Sequence, residues 1–359
     1  MTQLDSDKSA YAAAGVDIEA GDRAVELMKE WVARTQRPEV MGGIGGFAGL
    51  FDASALARLN HPVLATSTDG VGTKVAIAQA LDRHETIGFD LVGMVVDDLV
   101  VCGAEPLFMT DYIACGKVHP ERIAAIVQGI AKACIDAGCA LLGGETAEHP
   151  GLLGPDEYDL AGAATGVVER DKILSTDRVR PGDMVLAMES SGLHSNGYSL
   201  VRHALREQTR WTLDRNIPDL DRTLGDELLT PTRIYARDCL ALVDAVEVHA
   251  MSHITGGGLA NNLARVIPDS CQVRIDRATW RPAPIFELIK QIGEISQSDM
   301  DATFNMGVGM AAVLPPDSVD GAVRLLTGRG LQAWVCGAVT AADAGGLAPV
   351  SLFGQHVAG

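Results

Sequence analysis

Glycine is the residue whose placement most constrains what this chain can fold into. The 359 residues include 39 glycines, which gather in short clusters instead of spreading evenly. Because glycine reaches backbone conformations that other residues avoid and lets a ligand approach the backbone closely, each cluster predicts a tight loop. The clusters lie at residues 42–49, 70–72, 143–144, 192–197, 256–258 and 307–309.

Apolar patterning predicts that these loops connect strands and helices in both halves of the chain, and residues 210–222 an irregular surface loop. Strands are predicted at residues 62–67, 140–142, 160–168, 184–188, 248–254, 308–314 and 333–339. Helices are predicted at residues 20–34, 86–102, 120–138, 198–206, 232–246, 259–266 and 319–326. Thr230 is the expected N-cap of the helix at 232–246. The predicted fold class is α+β, with two mixed α/β domains, the second a mixed sheet with helices.

A polar segment that ends in a turn marks the predicted domain boundary. Residues 169–180 are polar and lead into Pro181, Gly182 and Asp183. A chain of this length fits two domains of ordinary size. We therefore predict an N-terminal domain at 1–170 and a C-terminal domain at 171–359.

Charge and cysteine content exclude several classes of function. The chain has 29 Lys and Arg against 47 Asp and Glu, a net charge of −18, so a nucleic-acid partner is not expected. No segment is apolar enough to span a membrane, and the N-terminus lacks an export signal, so the expected location is the cytoplasm. Seven cysteines without a CxxC pair suit a reducing compartment and argue against a zinc cluster.

The sequence DGVGTK at 69–74 presents a carboxylate, free backbone N–H groups and a cation together at the end of a predicted strand. Those are the components of a magnesium–phosphate site. The alternative is an ordinary turn in which Asp69 bonds its own backbone.

Carboxylates also lie within the apolar helix predicted at 86–102. Asp90 and Asp97 are seven residues apart and share one helical face, and Asp98 is adjacent. Buried carboxylates need a metal ion, a cation or several N–H donors. With Glu145 in another glycine loop, these hard oxygen ligands suit Mg²⁺ bound together with phosphates; structural ion pairs at a domain contact are the alternative.

Two loops of the second half predict a phosphate site. The sequence SSGLHSNG at 190–197 precedes a predicted helix, and HITGGG at 253–258 repeats the design. Backbone N–H groups at a helix start, with Ser and Asn donors, can hold a phosphate. Alternatively, Ser195 and Thr255 cap helices and His253 is a core histidine.

Several strings together resemble one family. They are YAAAGVD at 11–17, RPEVMGG at 37–43, DGVGTK at 69–74, VDDLVVCGAEP at 96–106, GGETAE at 143–148, SSGLHSNGYSLVR at 190–202, HITGGG at 253–258 and FNMGVG at 304–309. In this order they resemble the phosphoribosylformylglycinamidine cyclo-ligases, also called aminoimidazole ribonucleotide synthetases, of purine biosynthesis.

The resemblance implies an ATP- and Mg²⁺-dependent closure of formylglycinamidine ribonucleotide to aminoimidazole ribonucleotide, with ADP and phosphate released. It implies a homodimer in which the N-terminal domains pair their sheets into a barrel. The reaction would pass through an iminophosphate, formed when the γ-phosphoryl group is transferred to the substrate amide oxygen. The amidine nitrogen would then displace the phosphate.

The resemblance also implies roles for individual residues. The implied catalytic residues are Asp69, Lys74 and His253, and the implied metal ligands are Asp69, Asp98 and Glu145. The implied ATP contacts are Gly43, Gly45, Gly46, Asp69, Gly70, Gly72, Thr73, Lys74 and Asp97. The implied substrate contacts are Ser191, Gly192, His194, Ser195, Asn196, Thr255, Gly256, Gly257 and Gly258.

Three points stay open. Two residues depart from the family pattern: Asp97 stands where relatives commonly have Asn, and His149 where many have Met. Because Asp97 adds a negative charge beside the proposed metal, its direct binding to the metal is undecided. Another ATP-using member of the same superfamily, similar to selenophosphate synthetase or thiamine-monophosphate kinase, is an alternative. Selenophosphate synthetases usually have a reactive Cys or selenocysteine near the N-terminus, whereas the first cysteine here is Cys102. A non-catalytic nucleotide-binding protein is the third reading.

Overall fold

The computed structural model describes residues 17–43, 45–209, 211–342 and 348–357. The YAAAGVD string therefore lies outside the described residues except for Asp17. The α-helices are α1 Ile18–Arg34, α2 Val75–Leu81, α3 Ile87–Val100, α4 Pro120–Ala137, α5 Tyr198–Arg202, α6 Leu224–Leu228, α7 Ala236–Ala245, α8 Gly258–Ala264, α9 Pro284–Ile292, α10 Gln297–Thr303 and α11 Val319–Gly328.

The strands are β1 Val40–Met41, β2 Leu50–Phe51, β3 Pro62–Gly70, β4 Glu105–Cys115, β5 Ala140–Glu148, β6 Tyr158–Glu169, β7 Met184–Glu189, β8 Asn216–Ile217, β9 Arg222–Thr223, β10 Ala250–His253, β11 Cys271–Asp276, β12 Val308–Leu314, β13 Ala333–Ala341 and β14 Val350–Phe353. A π-helical turn, His203–Gln208, follows α5. Short 3₁₀ turns lie at Ala53–Arg58, Gly72–Lys74, Arg170–Lys172, Thr176–Arg178, Pro218–Leu220, Arg277–Thr279 and Pro316–Ser318.

The first half is built on a four-stranded sheet in the order β3-β6-β4-β5. β4 and β5 are parallel, whereas β6 is antiparallel to both of its neighbours. Helices α3 and α4 bury their apolar residues in the core cluster on one face of this sheet. The other face leaves Leu64 and Tyr112 exposed.

The second half is built on a six-stranded sheet in the order β10-β12-β7-β13-β11-β14. All neighbours are antiparallel except β11 and β14. Every residue of β12 is buried, as expected for an inner strand covered on both faces. The two sheets are mixed and carry helices, which confirms the predicted α+β class.

Local signals explain the element boundaries that were predicted closely. α4 begins with Pro120 in its first turn and ends at Gly138, whose φ of +76° suits glycine at a helix C-terminus. α3 is followed by Gly103 with φ +83°. β12 spans the residues predicted from its continuous apolar run.

The helix predicted at 232–246 begins later, at Ala236, so the expected N-cap at Thr230 is wrong. The backbone N–H of Thr232 donates to Asp90 Oδ1 at 3.0 Å, and that of Tyr235 donates to Asp97 Oδ1 at 3.0 Å. Because both acceptors belong to α3, the first half of the chain holds this segment outside the helix. Residues 210–222 contain the short hairpin of β8 and β9 instead of being wholly irregular.

No helix within the described ranges is long and apolar enough to cross a membrane.

Candidate active site between the two halves

Three predicted catalytic or metal-binding side chains meet where the two halves touch. Asp69 lies at the end of β3, Asp98 on α3 and His253 at the end of β10. His253 Nδ1 lies 2.9 Å from Asp98 Oδ1, which joins the second half to the first. Burial raises the pKa of Asp69, and the nearby Asp98 charge raises it further, against the hydrogen bond from Gly70 N. The structure thus gathers two carboxylates and an imidazole. The region around these three side chains, between the two halves, is called the cleft.

One nitrogen of this cluster is buried without a partner in the described part of the chain, next to a carboxylate that is open to solvent. His253 is 5% exposed, and its Nε2 has no hydrogen-bond partner among the described residues. The Asp98 side chain is 41% exposed, so the cluster opens to solvent on that side. Because Asp98 holds Nδ1, the Nε2 atom is the one that can exchange a proton with a ligand.

Asp97 and Asp90 have structural partners across the same contact. Both Asp97 oxygens accept from the backbone N–H of Tyr235, so this carboxylate caps the start of α7. Burial raises the pKa of Asp97 to about 7, against the backbone hydrogen bonds and the His253 charge. Asp97 is fully buried, and its predicted contact with ATP stays a prediction that this geometry does not favour.

Lys74 is fully buried in an ion pair with Asp90, its Nζ 2.6 Å from Asp90 Oδ1. The same ammonium donates to the carbonyl oxygens of His194 at 3.0 Å and Thr230 at 2.7 Å. These three acceptors match the three donors of an ammonium group. A direct contact with ATP would require Lys74 to leave all of them, so the structure places Lys74 in the interface between the halves.

The loop at 190–197 docks onto the loop at 70–74. Ser195 Oγ donates to Val71 O at 2.7 Å, and Ser199 Oγ lies 3.1 Å from Thr73 Oγ1. Ser191 Oγ donates to Pro231 O, while its N–H donates to His194 Nε2. Burial holds the pKa of His194 well below its usual range, so this imidazole is neutral. The hydroxyls of Ser191 and Ser195 therefore already hold this loop against neighbouring segments of the chain.

Asn196 and the HITGGG loop lie side by side, which brings the two predicted substrate loops together. A Cβ atom at Gly256 would lie 3.3 Å from Asn196 Oδ1. Asn196 is half-buried, and within the described residues its side chain makes a single contact, of 3.4 Å, to Met94 Sδ. Gly256 and Gly257 donate no N–H hydrogen bond within the described residues, whereas Gly258 N donates to Thr255 O. Thr255 Oγ1 is 3.4 Å from Asn262 Oδ1.

A cavity of about 760 Å³ lies over the four-stranded sheet. Its lining includes the predicted ATP contacts Gly43, Gly45 and Gly46 together with Glu145. Thr68, immediately before Asp69, also lines it, so the cavity reaches the end of β3. The predicted residues Gly70, Gly72 and Thr73 are not among the described residues that line this cavity; they lie at the end of β3 and in the turn after it, which contacts Ser195 through Val71.

Glu145 does not join Asp69 and Asp98 within one chain. Strand register connects Glu145 to Tyr112, Ala161 and Gly70 in turn. Three inter-strand steps place Glu145 about 14 Å from the end of β3. Within the described ranges, no group of three His, Cys, Asp or Glu side chains is arranged to hold a metal ion. Asp69 and Asp98 fit Mg²⁺ that takes its other ligands from phosphate and water.

Asp111, which the sequence reasoning missed, lies on β4 and lines the same cavity. It is 9% exposed, and burial raises its pKa to about 7. The glycine loop predicted at 143–144 is wrong, because these residues lie within β5. A Cβ at Gly144 would lie 2.1 Å from Asp111 Oδ1, so the strand needs glycine there to make room for this carboxylate. A polar residue inside the apolar alternation of β4 was the signal that could have found it.

Comparisons with known proteins agree with this two-part architecture. The family described as AIR synthase related protein, N-terminal domain, matches residues 51–168, and the corresponding C-terminal domain matches residues 180–348. Because these two matches cover most of the chain, it is a protein of the AIR synthase related class.

Phosphoribosylformylglycinamidine cyclo-ligase of Geobacillus kaustophilus is 52% identical over 330 residues, which cover 92% of this chain and 95% of that protein. The chain belongs to the phosphoribosylformylglycinamidine cyclo-ligase family, a family of ligases.

Solved structures of other proteins share the fold. Thiamine-monophosphate kinase from Stenotrophomonas maltophilia superposes with a TM-score of 0.68 at 21% identity, covering 93% of this chain and 97% of that one. The hydrogenase maturation protein HypE in complex with ATP superposes with a TM-score of 0.60 at 18% identity, covering 93% and 91%.

Proposed function

We propose that the chain closes the imidazole ring of aminoimidazole ribonucleotide from formylglycinamidine ribonucleotide, using ATP and releasing ADP and phosphate. Relatives named for this cyclo-ligase activity align with 92% of the chain at 50–52% sequence identity, which supports the proposal. The single observation that carries it is the cluster of Asp69, Asp98 and His253 beside the paired loops at Asn196 and Gly256.

The substrate phosphate is assigned to the loops of the second half. In the described part of the chain, the side-chain amide of Asn196 has only the weak contact to Met94, and no residue accepts from the N–H groups of Gly256 and Gly257. Neutral donors of this kind hold a phosphate without a metal ion. Because this loop lies beside His253, the rest of the substrate would extend toward the cluster.

ATP is assigned to the first half, in the cavity lined by Gly43, Gly45, Gly46 and Asp111. HypE, which shares this fold, has been solved in complex with ATP, so the fold can accommodate a nucleotide. When bound, Mg²⁺ held by Asp69 and Asp98 would neutralise phosphate charge. The fit rests on two carboxylates close enough for their charges to interact, one of which is open to solvent.

Within this arrangement the chain supplies position, charge and a proton acceptor. The substrate amide oxygen leaves as part of the phosphate, so the amidine nitrogen must lose a proton as it bonds to carbon. His253 Nε2 has no partner among the described residues and is held in place through Nδ1 by Asp98, so it is the atom assigned to that proton. Lys74 is assigned a positioning role, because it fastens the loop of His194 to α3.

We also propose that the chain forms a homodimer and acts in the cytoplasm. Leu64 is 61% exposed and Tyr112 41% exposed on the face of the four-stranded sheet opposite α3, and β3 is an edge strand. Exposed apolar faces and edges of this kind favour pairing with a second copy. The seven cysteines are all free, in keeping with a reducing compartment.

An oxygen-transfer experiment tests the reaction. Formylglycinamidine ribonucleotide labelled with ¹⁸O in its formyl group is incubated with ATP, Mg²⁺ and the protein, and phosphate and nucleotide products are analysed by mass spectrometry. The proposal expects the label in inorganic phosphate and a product lighter than the substrate by one water. A product that gains a phosphoryl group would show kinase chemistry instead, and label released into water would exclude the iminophosphate route.

A further inference from the structure

The second half contains a cavity of about 790 Å³ that the proposed reaction does not use. It lies between helix α9, the segment at 277–283 and the C-terminal segment at 354–357. This volume is in the range of small-molecule sites. None of the residues assigned to ATP, metal or substrate lines it.

Three cations line this cavity in a chain whose net charge is −18. Arg277 is tied to Asp301 through Nε at 3.1 Å, and Lys290 donates to Gln297 Oε1 at 2.9 Å. Arg281 is exposed, and no residue in the described part of the chain pairs with it. A free guanidinium beside two anchored cations suits the planar, bidentate recognition of a phosphate group.

His356 gives a second, independent sign of an occupant. Both of its ring nitrogens are buried and no described side chain bonds either of them; the backbone of Arg277 lies close enough to interact with one nitrogen, which leaves the other without a partner among the described residues. The ring is held edge-on to Trp280, with centroids 4.8 Å apart, and it lines the cavity. Because an unpartnered buried polar group is costly, a ligand that bonds this imidazole would offset the cost.

Carboxylates on the same cavity narrow the class of ligand. Asp219 and Glu287 line it together with the cations, although Glu287 already accepts from Gln291 at 2.8 Å. A purely anionic molecule would meet repulsion from these two groups, whereas hydroxyl groups can donate to them. The lining therefore fits a molecule with one phosphate and several hydroxyls.

We propose that this cavity is a second ligand site, which binds a small sugar phosphate. The phosphate contacts Arg281 and His356, and the sugar hydroxyls contact the carboxylates. The site is separate from the cleft, so its occupancy does not depend on the ring-closure reaction.

Calorimetric titration with ribose 5-phosphate tests the proposal. The protein is first saturated with ADP and formylglycinamidine ribonucleotide, so that the cleft is filled and no turnover occurs. One further site per chain is expected. Arg281→Ala and His356→Gln should each raise the Kd by about tenfold or more, while Arg265→Ala, an exposed arginine outside the cavity, should leave it unchanged.

Each control separates this site from a folding defect or a nonspecific effect. Unchanged ring-closure rates in both variants would show that they are folded. No binding to the wild-type protein, or the same Kd in Arg281→Ala and His356→Gln as in Arg265→Ala, would overturn the proposal. Equal affinity for inorganic phosphate and ribose 5-phosphate would overturn the assignment to a sugar phosphate.

Discussion

His253 Nδ1 lies 2.9 Å from Asp98 Oδ1, and this contact joins the end of β10 in the second half to α3 in the first. It fixes the imidazole and leaves Nε2 without a protein partner among the described residues. A relative movement of the two halves would therefore change the position of the proposed proton acceptor. The cleft is a joint property of both sheets.

Asp98→Asn should lower turnover far more than it lowers stability. An asparagine can still accept from His253 Nδ1, whereas the negative charge beside Asp69 is lost. We expect kcat to fall by roughly 10²-fold or more, as for other preorganised charge stabilisation, with a small change in Tm. Steady-state kinetics and thermal denaturation measure the two effects. Unchanged turnover at saturating Mg²⁺ would remove Asp98 from the metal site.

Lys74→Met should destabilise the fold, because it leaves the buried Asp90 carboxylate without its cation. Loss of one partner of a buried ion pair costs about 3–5 kcal/mol. Urea denaturation would measure it, with the exposed Lys172→Met as the control. Adding Asp90→Asn to Lys74→Met should restore part of the stability, since Asn can still accept from Thr232. A stable Lys74→Met protein with weakened ATP binding would instead support a direct contact between Lys74 and ATP.

Asn196→Ala should raise the KM for formylglycinamidine ribonucleotide while the KM for ATP changes little. Its amide lies beside Gly256 and has no strong protein partner, so its loss removes a phosphate donor without a packing defect. We expect roughly a tenfold rise, the equivalent of about 1.5 kcal/mol. Asn216→Ala, exposed on the β8–β9 hairpin, is the matched control. A selective rise in the KM for ATP would show that the two halves are assigned the wrong way round.

Asp111→Asn should change the pH dependence of stability. Burial raises the folded-state pKa of Asp111 from 3.8 to about 7, so the folded protein holds this proton more tightly than the unfolded chain. The free energy of unfolding therefore falls as pH rises between those values. The variant should be more stable at pH 8 by about 2 kcal/mol and less dependent on pH.

Unfolding measured from pH 4 to 8 checks this, with the exposed Asp136→Asn as the control. If Asp111 contacts ATP, the same variant should raise the KM for ATP. Identical slopes in Asp111→Asn and the wild-type protein would show that the carboxyl is not desolvated.

Local chemistry made part of this molecule predictable from sequence. Pro120 and Gly138 mark the ends of α4 because their backbone preferences act within a single turn. The same locality predicted that Asp90 and Asp97 share a face of α3, since seven residues make nearly two turns. Their partners could not be predicted, because the segment of Thr232 and Tyr235 is more than a hundred residues away.

The site shows the same limit. The adjacency of Asn196 and Gly256 agrees with the expectation that both loops serve one phosphate, whereas the pairing of Asp98 with His253 was not predicted. Lys74 follows a glycine loop that resembles a phosphate site, yet its ammonium donates all of its hydrogen bonds to Asp90 and to two carbonyl groups of the second half. A motif shows which residue types a loop contains. It does not show which of their side chains will bond to other parts of the folded chain instead of a ligand.

The most direct test of the central claim is ADP release measured with and without formylglycinamidine ribonucleotide. The protein is incubated with ATP and Mg²⁺, and ADP and aminoimidazole ribonucleotide are quantified together. Ring closure at the cleft predicts one ADP for each aminoimidazole ribonucleotide and almost no ADP without the substrate. ADP formation that does not depend on the substrate, or no ADP formation with it, would contradict the account.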